Sequence, residues 1–154
     1  MRRIVTALIL IVIGASFVGC ERYALDRQME ELCKKDGGVK AYETVTLSPV
    51  EYDKLFKYVT IAKTQEDYYG PDYRYIRRRE LISGTENGPQ RGSGRLSRWY
   101  SAIFRKSDGR TLAESVQYFR TGGDLFTFGF QPSANDCPKF QVGLANSVFI
   151  KGEK

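Results

Sequence analysis

The apolar residues of this chain begin as one continuous run and later follow helical and alternating patterns. The run comprises residues 4–18, none of which is charged. A membrane-spanning helix needs about 20 apolar residues, so the run is short for one. Arg2 and Arg3 precede it, and Gly19 follows it directly before Cys20. A basic start, a short apolar run and a small residue are the order of a secretory signal, which predicts a signal peptide over residues 1–19.

Helical spacing governs the next segment, residues 21–36. Its apolar side chains recur at i, i+4, i+7 and i+8 and form one stripe, which comprises Leu25, Met29, Leu32 and Cys33. Lys34 and Lys35 lie in the last predicted turn, where positive charge suits the helix dipole. Gly37 and Gly38 then favour the end of the helix.

A second, shorter helix is predicted from Ser48 onward. Ser48 can cap the helix, Pro49 suits its first position, and Glu51 completes a capping box. We expect this helix to end near Val59.

Alternation with a period of two predicts the strands. The segments are 39–47, 73–82, a hairpin over 98–120, 125–130 and a short piece at 148–150. The hairpin turns at Ser107-Asp108-Gly109, with Gly109 in the left-handed conformation. Its alternation places Tyr100 and Glu114 on one face, and Trp99 on the other.

Glycines punctuate residues 83–97, which we therefore expect to form a flexible loop. Helix, strand, helix and several antiparallel strands in this order predict an α+β fold. Its N-terminal helix and second short helix would pack on a four- to five-stranded antiparallel sheet. Residues 20–154 are long enough for a single globular domain.

The residues Phe17-Val18-Gly19-Cys20 resemble the lipobox of bacterial lipoproteins. The resemblance implies that Cys20 is acylated, becomes the new N-terminus and anchors the protein on a membrane. Lipoproteins with aspartate after that cysteine are retained at the inner membrane. Glu21 stands there in this chain, which favours the outer membrane, facing the periplasm. Plain secretion and a retained N-terminal anchor are the alternatives.

Two internal stretches resemble small uncharacterised lipoproteins of proteobacteria. They are Glu31 to Val45, which reads ELCKKDGGVKAYETV, and Ile103 to Gly109, which reads IFRKSDG. This likeness implies a bacterial cell envelope setting and brings no known activity.

Cysteine usage agrees with that setting. The chain has three cysteines, and acylation of Cys20 would leave Cys33 and Cys137 as a pair in an oxidising compartment. We predict a disulfide between them, with Cys137 in a turn-like segment at 135–138. Two separate buried thiols are the alternative. The sequence contains no CxxC motif, so it indicates neither a redox pair nor a zinc site built on that spacing.

Charge is concentrated in residues 73–110, which hold ten basic and three acidic residues. A basic segment of this kind is a candidate for binding anionic lipid, lipopolysaccharide or an acidic envelope protein. The candidate residues are Arg77, Arg78, Arg79, Arg98 and Arg105. The alternative is a solvated strand face paired with the acidic N-terminal third, with Glu114 as one arginine partner. Nucleic acid is a poor candidate because an exported protein does not normally meet it.

The chain has no histidine, which removes the commonest acid–base catalyst and metal ligand. The sequence therefore predicts a non-catalytic binding or structural role, without cofactor or metal. An enzyme or enzyme inhibitor that acts on the cell wall is the alternative. A carboxylate of raised pKa in a tyrosine-lined cleft would favour that alternative, and four tyrosines could stack on sugar rings: Tyr68, Tyr69, Tyr73 and Tyr75.

Overall fold

A computed structural model describes residues 20–62, 64–87, 92–124, 132–139 and 143–153. Helices and strands alternate irregularly along the chain. The helices are α1 (Cys20–Asp36), α2 (Pro49–Ile61) and α3 (Leu144–Val148), with a 3₁₀ turn at Gln65–Asp67. The strands are β1 (Gly38–Ala41), β2 (Val45–Leu47), β3 (Tyr73–Ser83), β4 (Gly94–Arg105), β5 (Thr111–Gly122), β6 (Ala134–Cys137) and β7 (Phe149–Lys151).

Five of these strands form one sheet in the order β1-β5-β4-β3, and β6 also pairs with β5. Both short strands, β1 and β6, run antiparallel to β5. The remaining two strands, β2 and β7, form a separate parallel pair. Helices combined with a five-stranded antiparallel sheet confirm the predicted α+β fold.

Contacts divide the chain into two compact units. The first comprises Met1–Lys35, Glu80–Arg98 and Tyr118–Cys137, and the second comprises Asp36–Arg79, Trp99–Gln117 and Pro138–Lys154. The single globular domain over residues 20–154 stays a prediction.

In the first unit, α1 buries three of the four residues of its predicted apolar stripe, and the fourth, Leu32, is half-buried. Leu25, Met29 and Cys33 are all less than a tenth exposed. Cys33 forms a disulfide with Cys137 on β6, 104 residues away along the chain. The predicted pairing of the two cysteines is therefore confirmed.

A buried arginine also joins α1 to the strands of the first unit. Arg120 on β5 is only 1% exposed. Its guanidinium donates to both carboxylate oxygens of Asp26, at 2.9 and 3.3 Å, and to the carbonyls of Gly122 and Ser133. Asn135 donates to the same aspartate at 3.2 Å. Asp26, Gly122 and Ser133 thus accept the hydrogen bonds of the Arg120 guanidinium, and Asn135 adds a donor to Asp26. These contacts satisfy the polar groups that are buried where α1 packs.

The predicted loop over 83–97 is shorter in the structure, because β3 continues through Ser83 and β4 begins at Gly94. A Cβ on Gly84 would lie 2.3 Å from the Gly94 carbonyl oxygen, and one on Gly94 would lie 2.3 Å from a Leu25 methyl. These glycines therefore permit close packing at the ends of two strands. Residues 88–91 lie outside the described residues, and the flexibility of the segment stays a prediction.

The core of the second unit lies among α2, α3, β7 and the hairpin of β4 and β5. Its buried residues are Leu55, Ile103, Leu112, Ala113, Ala145, Val148 and Phe149. Helix α2 begins with the predicted capping box, in which Ser48 and Glu51 satisfy each other's backbone amides. It ends at Ile61, close to the predicted end.

Four local predictions change in the structure. The strand predicted over 39–47 is divided into β1 and β2. The turn-like segment that holds Cys137 is strand β6, which pairs with β5. Residues 144–148 form a short helix that the sequence did not indicate. The hairpin turn has four residues, 106–109, rather than the predicted three, because the Arg105 amide donates a hydrogen bond to the Arg110 carbonyl. Gly109 takes the predicted positive φ, +72°, and the strand predicted over 125–130 lies outside the described residues.

Candidate functional site

The described part of the first unit starts at the predicted acylation site. Helix α1 begins at Cys20, and the Glu21 carboxylate accepts a hydrogen bond from the Gly94 amide at 3.1 Å. Arg22 forms an ion pair with Asp124 at 3.1 Å. The first turn of α1 is therefore held against the unit, with no linker between Cys20 and its first tertiary contact. Residues 1–19 and the Cys20 side chain lie outside the described residues, so the signal peptide and the acylation stay predictions.

Within the described ranges, no helix is both long and apolar enough to cross a membrane.

The part of strand β3 that belongs to the second unit exposes three consecutive arginines: Arg77, Arg78 and Arg79. We call them the basic strand. Since successive side chains of a strand point to opposite faces, Arg78 projects away from the other two. The Arg77 guanidinium carbon lies 4.1 Å from the centroid of the Trp99 ring, which is the geometry of a cation–π contact. The indole thus restricts the position of the Arg77 guanidinium.

A pocket of about 200 Å³ opens beside Arg77 and Trp99, and we call it the Trp99 pocket. Its lining includes the hydroxyl groups of Tyr75, Ser101 and Ser115. Tyr75 donates to Ser101 at 3.2 Å, and both serines are less than a tenth exposed. One positive charge and two serine hydroxyls around a small concave space suit the oxygen atoms of an anionic group.

Two other predicted binding residues are placed differently. Arg105 forms ion pairs with Glu43 and, at 3.1 Å, with Asp108. Hydrogen bonds to these carboxylates raise the pKa of Arg105 above its ordinary value. Arg105 thus takes part in the internal pairing that was the alternative interpretation of the basic segment. Arg98 is half-buried on the part of β4 that belongs to the first unit.

Glu114 was predicted to pair with an arginine of the basic strand, and its contacts are with tyrosines instead. Tyr42 donates to one carboxylate oxygen at 2.5 Å, and Tyr100 donates to the other at 3.2 Å. The hydrogen bond to Glu114 raises the pKa of Tyr42, because it favours the protonated hydroxyl. The shared contact of Tyr100 and Glu114 agrees with the face assignment predicted for the hairpin.

The tyrosines considered for sugar stacking form one aromatic cluster with the core. Tyr69 lies edge-on to Tyr75 at 5.8 Å between ring centroids, and Tyr73 lies edge-on to Phe149 at 4.8 Å. Burial raises the pKa of Tyr69 to about 12, so its hydroxyl stays protonated at physiological pH. Tyr69 and Tyr73 also line a second pocket, of about 270 Å³.

Sequence reasoning missed Trp99 and the two buried serines as site residues. Trp99 is the only tryptophan of the chain, which is a signal that could have identified it, but its contact with Arg77 depends on how two strands align. Serines on a buried strand carry no distinguishing pattern. Within the described ranges, no group of three acidic or cysteine side chains could hold a metal ion.

Comparison with protein-family models, curated proteins and solved structures finds no match for this chain.

Proposed function

We propose that this protein is a lipid-anchored lipoprotein of the bacterial cell envelope with a non-catalytic binding role. Acylation of Cys20 would hold it on the outer membrane, facing the periplasm. The basic strand would dock the phosphate or carboxylate groups of an anionic surface or partner. The observation that carries the binding proposal is the placement of Arg77 against Trp99, beside a pocket lined with hydroxyls.

Anchoring is supported by how directly α1 follows Cys20. Glu21 and Arg22 already make tertiary contacts, so acyl chains on Cys20 would be attached one residue before the first of these contacts. A protein attached in this way would stay close to its bilayer, where exposed arginines interact with anionic headgroups within a Debye length.

Docking is supported by exposure and by the geometry around Arg77. An exposed arginine with no constraint samples many rotamers and loses that freedom when it binds. Contact with Trp99 restricts Arg77 before any ligand arrives, which lowers this cost. A purely protective role is the structural alternative, since charged residues on outer strands also discourage association between sheets.

Vesicle flotation tests the docking proposal. The chain from residue 20 onward, with Cys20→Ser to remove the acyl anchor, is mixed with vesicles of phosphatidylcholine with and without anionic phosphatidylglycerol. The triple variant Arg77→Glu/Arg78→Glu/Arg79→Glu should bind the anionic vesicles at least about tenfold more weakly, since each basic residue near such a surface contributes about 1 kcal/mol.

The matched control reverses three exposed charges elsewhere: Arg27→Glu/Lys40→Glu/Lys54→Glu. It changes the net charge equally, so it should lose much less binding if position matters. Equal loss of binding in both variants would show that only the net charge matters. Unchanged flotation of the Arg77→Glu/Arg78→Glu/Arg79→Glu variant would contradict docking through the basic strand.

A further inference from the structure

A second pocket, of about 270 Å³, lies between helix α2 and residues 69–73 of the second unit. We call it the α2 pocket. Helix α2 contributes Glu51, Lys54, Leu55 and Tyr58, which share one face because they are spaced by three and four residues. Its volume is slightly below the roughly 300 to 1,000 Å³ of sites for drug-sized ligands, so it suits one or two small rings.

The floor of the α2 pocket is apolar and aromatic. Leu47 and Leu55 line it together with Tyr69 and Tyr73, whose rings pack on Phe149 of the core. These contacts hold both tyrosine rings in place before any ligand binds.

Tyr58 is held against the backbone of the opposite wall. A Cβ on Gly70 would lie 2.9 Å from the Tyr58 ring, and Gly70 has a φ of +79°. Only glycine combines this conformation with such a close approach. The sequence therefore provides a specific residue that allows the ring to reach its position.

The rim carries charges of both signs. Lys54 and Asp72 are exposed, and neither side chain forms a hydrogen bond or an ion pair with another described residue. One oxygen of the Glu51 carboxylate already has hydrogen-bond partners, because the Ser48 amide and hydroxyl both donate to Oε2. Hydrogen bonding to Ser48 also lowers the pKa of Glu51, so the carboxylate is ionised at neutral pH and its contacts are those of an acceptor.

From these features we infer that the α2 pocket binds a neutral saccharide unit. Two carboxylates repel an anionic ligand, and Lys54 on the same helix face as Glu51 weakens their attraction for a cationic one. A sugar has no net charge, places an apolar C–H face on aromatic rings, and uses hydroxyls to donate to carboxylates and accept from lysine. The site is separate from the basic strand, and the inference does not rest on the proposed docking function.

The α2 pocket has one of the two features that would favour an enzyme and lacks the other. It is lined with tyrosines, but the pKa of Glu51 is lowered rather than raised. A general acid needs a carboxyl group that stays protonated near neutral pH. The chemistry of the pocket therefore favours binding over hydrolysis of a saccharide.

Ligand-observed saturation-transfer NMR and calorimetry test the inference on the full chain, in a detergent without a sugar headgroup. The probe is N,N′-diacetylchitobiose, with trilysine and inorganic phosphate as charged comparators. The disaccharide should bind in the millimolar range or tighter, and more strongly than either comparator. Lys54→Ala and Asp72→Ala should each weaken binding of the disaccharide by at least about tenfold, because each variant loses one hydrogen bond to a charged group.

Matched controls are Lys40→Ala and Glu66→Ala, which remove one charge of each sign at exposed positions outside the pocket. They should leave the affinity unchanged, as should the triple charge reversal of the basic strand. Thermal unfolding of the Lys54 and Asp72 variants should match wild type, since both side chains are exposed.

Three results would overturn the inference. They are no binding of the disaccharide by wild type, binding that Lys54→Ala and Asp72→Ala leave unchanged, and tighter binding of trilysine or phosphate than of the disaccharide. The last result would reassign the pocket to a charged ligand.

Discussion

Arg120 illustrates how one residue can determine the packing of a helix. It is a charged residue in a buried part of β5, and it reaches Asp26 on α1 across 94 residues of sequence. Its side chain is 1% exposed, and that of Asp26 is 20% exposed. A buried charge is tolerated only when its hydrogen-bonding groups are satisfied, and here carboxylate and carbonyl oxygens satisfy them.

We predict that Arg120→Met lowers the free energy of unfolding by about 3 kcal/mol, near the lower end for a broken buried pair because Asp26 is partly solvated. Urea unfolding followed by circular dichroism measures the change. The double variant Arg120→Met/Asp26→Leu removes both charges, so it should recover part of the loss. If the single variant is as stable as wild type, the pair has no structural role.

The start of helix α2 is specified by interactions within its first turn. Ser48, Pro49 and Glu51 provide a side-chain cap, a fitting first residue and a reciprocal hydrogen bond, all within four positions. These interactions are local, which is why the sequence predicted both the helix and its start. The disulfide is different in kind, since it joins α1 to a strand that sequence reasoning assigned to a loop.

The capping box makes a pH-dependent prediction. Hydrogen bonds from Ser48 lower the folded-state pKa of Glu51 below its ordinary value of 4.5. A carboxylate with a lowered pKa stabilises the fold above its unfolded-state pKa, and this contribution is lost as the pH falls through about 4.5 and below.

Ser48→Ala should therefore lower the stability near neutral pH by about 1 kcal/mol. It should also flatten the loss of stability on acidification, because the pKa of Glu51 returns toward its ordinary value. Unfolding midpoints between about pH 6 and pH 3 measure both effects. Thr44→Ala, an exposed change outside the helix, is the control. An acid profile that Ser48→Ala leaves unaltered would show that the cap does not act through Glu51.

At the scale of the whole molecule, the main prediction is attachment to a membrane through Cys20. Cells fed an alkyne analogue of palmitate should incorporate it into wild type and not into Cys20→Ser. The variant Cys33→Ser/Cys137→Ser is the control and should keep the label, because its acylation site is intact. Label that persists in Cys20→Ser, or is absent from wild type, would contradict the lipoprotein assignment.

Different kinds of interaction stabilise the interior of each unit, and the sequence did not indicate this difference. The described part of the first has a disulfide and a buried arginine network around α1. The second has a cluster of aliphatic and aromatic residues, with ion pairs such as Lys151 with Asp53 at its surface. Composition alone suggested one ordinary core for the whole length of residues 20–154.

Long-range contacts explain most of what sequence reasoning missed. Strand β6 contains Asn135 and Asp136, which favour turns, and only pairing with β5 makes the segment a strand. Arg105 was predicted at a binding surface from the charge of residues 73–110, and its ion pair with Glu43 was not predicted because the two residues are 62 positions apart. The α2 pocket combines a helix face with a turn, so its residues share no pattern in the sequence.

The sequence by itself determined the features whose causes are local: the apolar stripe of α1, the start of α2, the positive φ of Gly109 and the α+β class. Neighbouring residues specify these through periodicity, capping and backbone freedom. Only the tertiary structure decided which arginines are paired and which are exposed, where Trp99 lies, and which glycines serve close packing. Those outcomes depend on distances between segments far apart in the chain, and such distances exist only once the chain has folded.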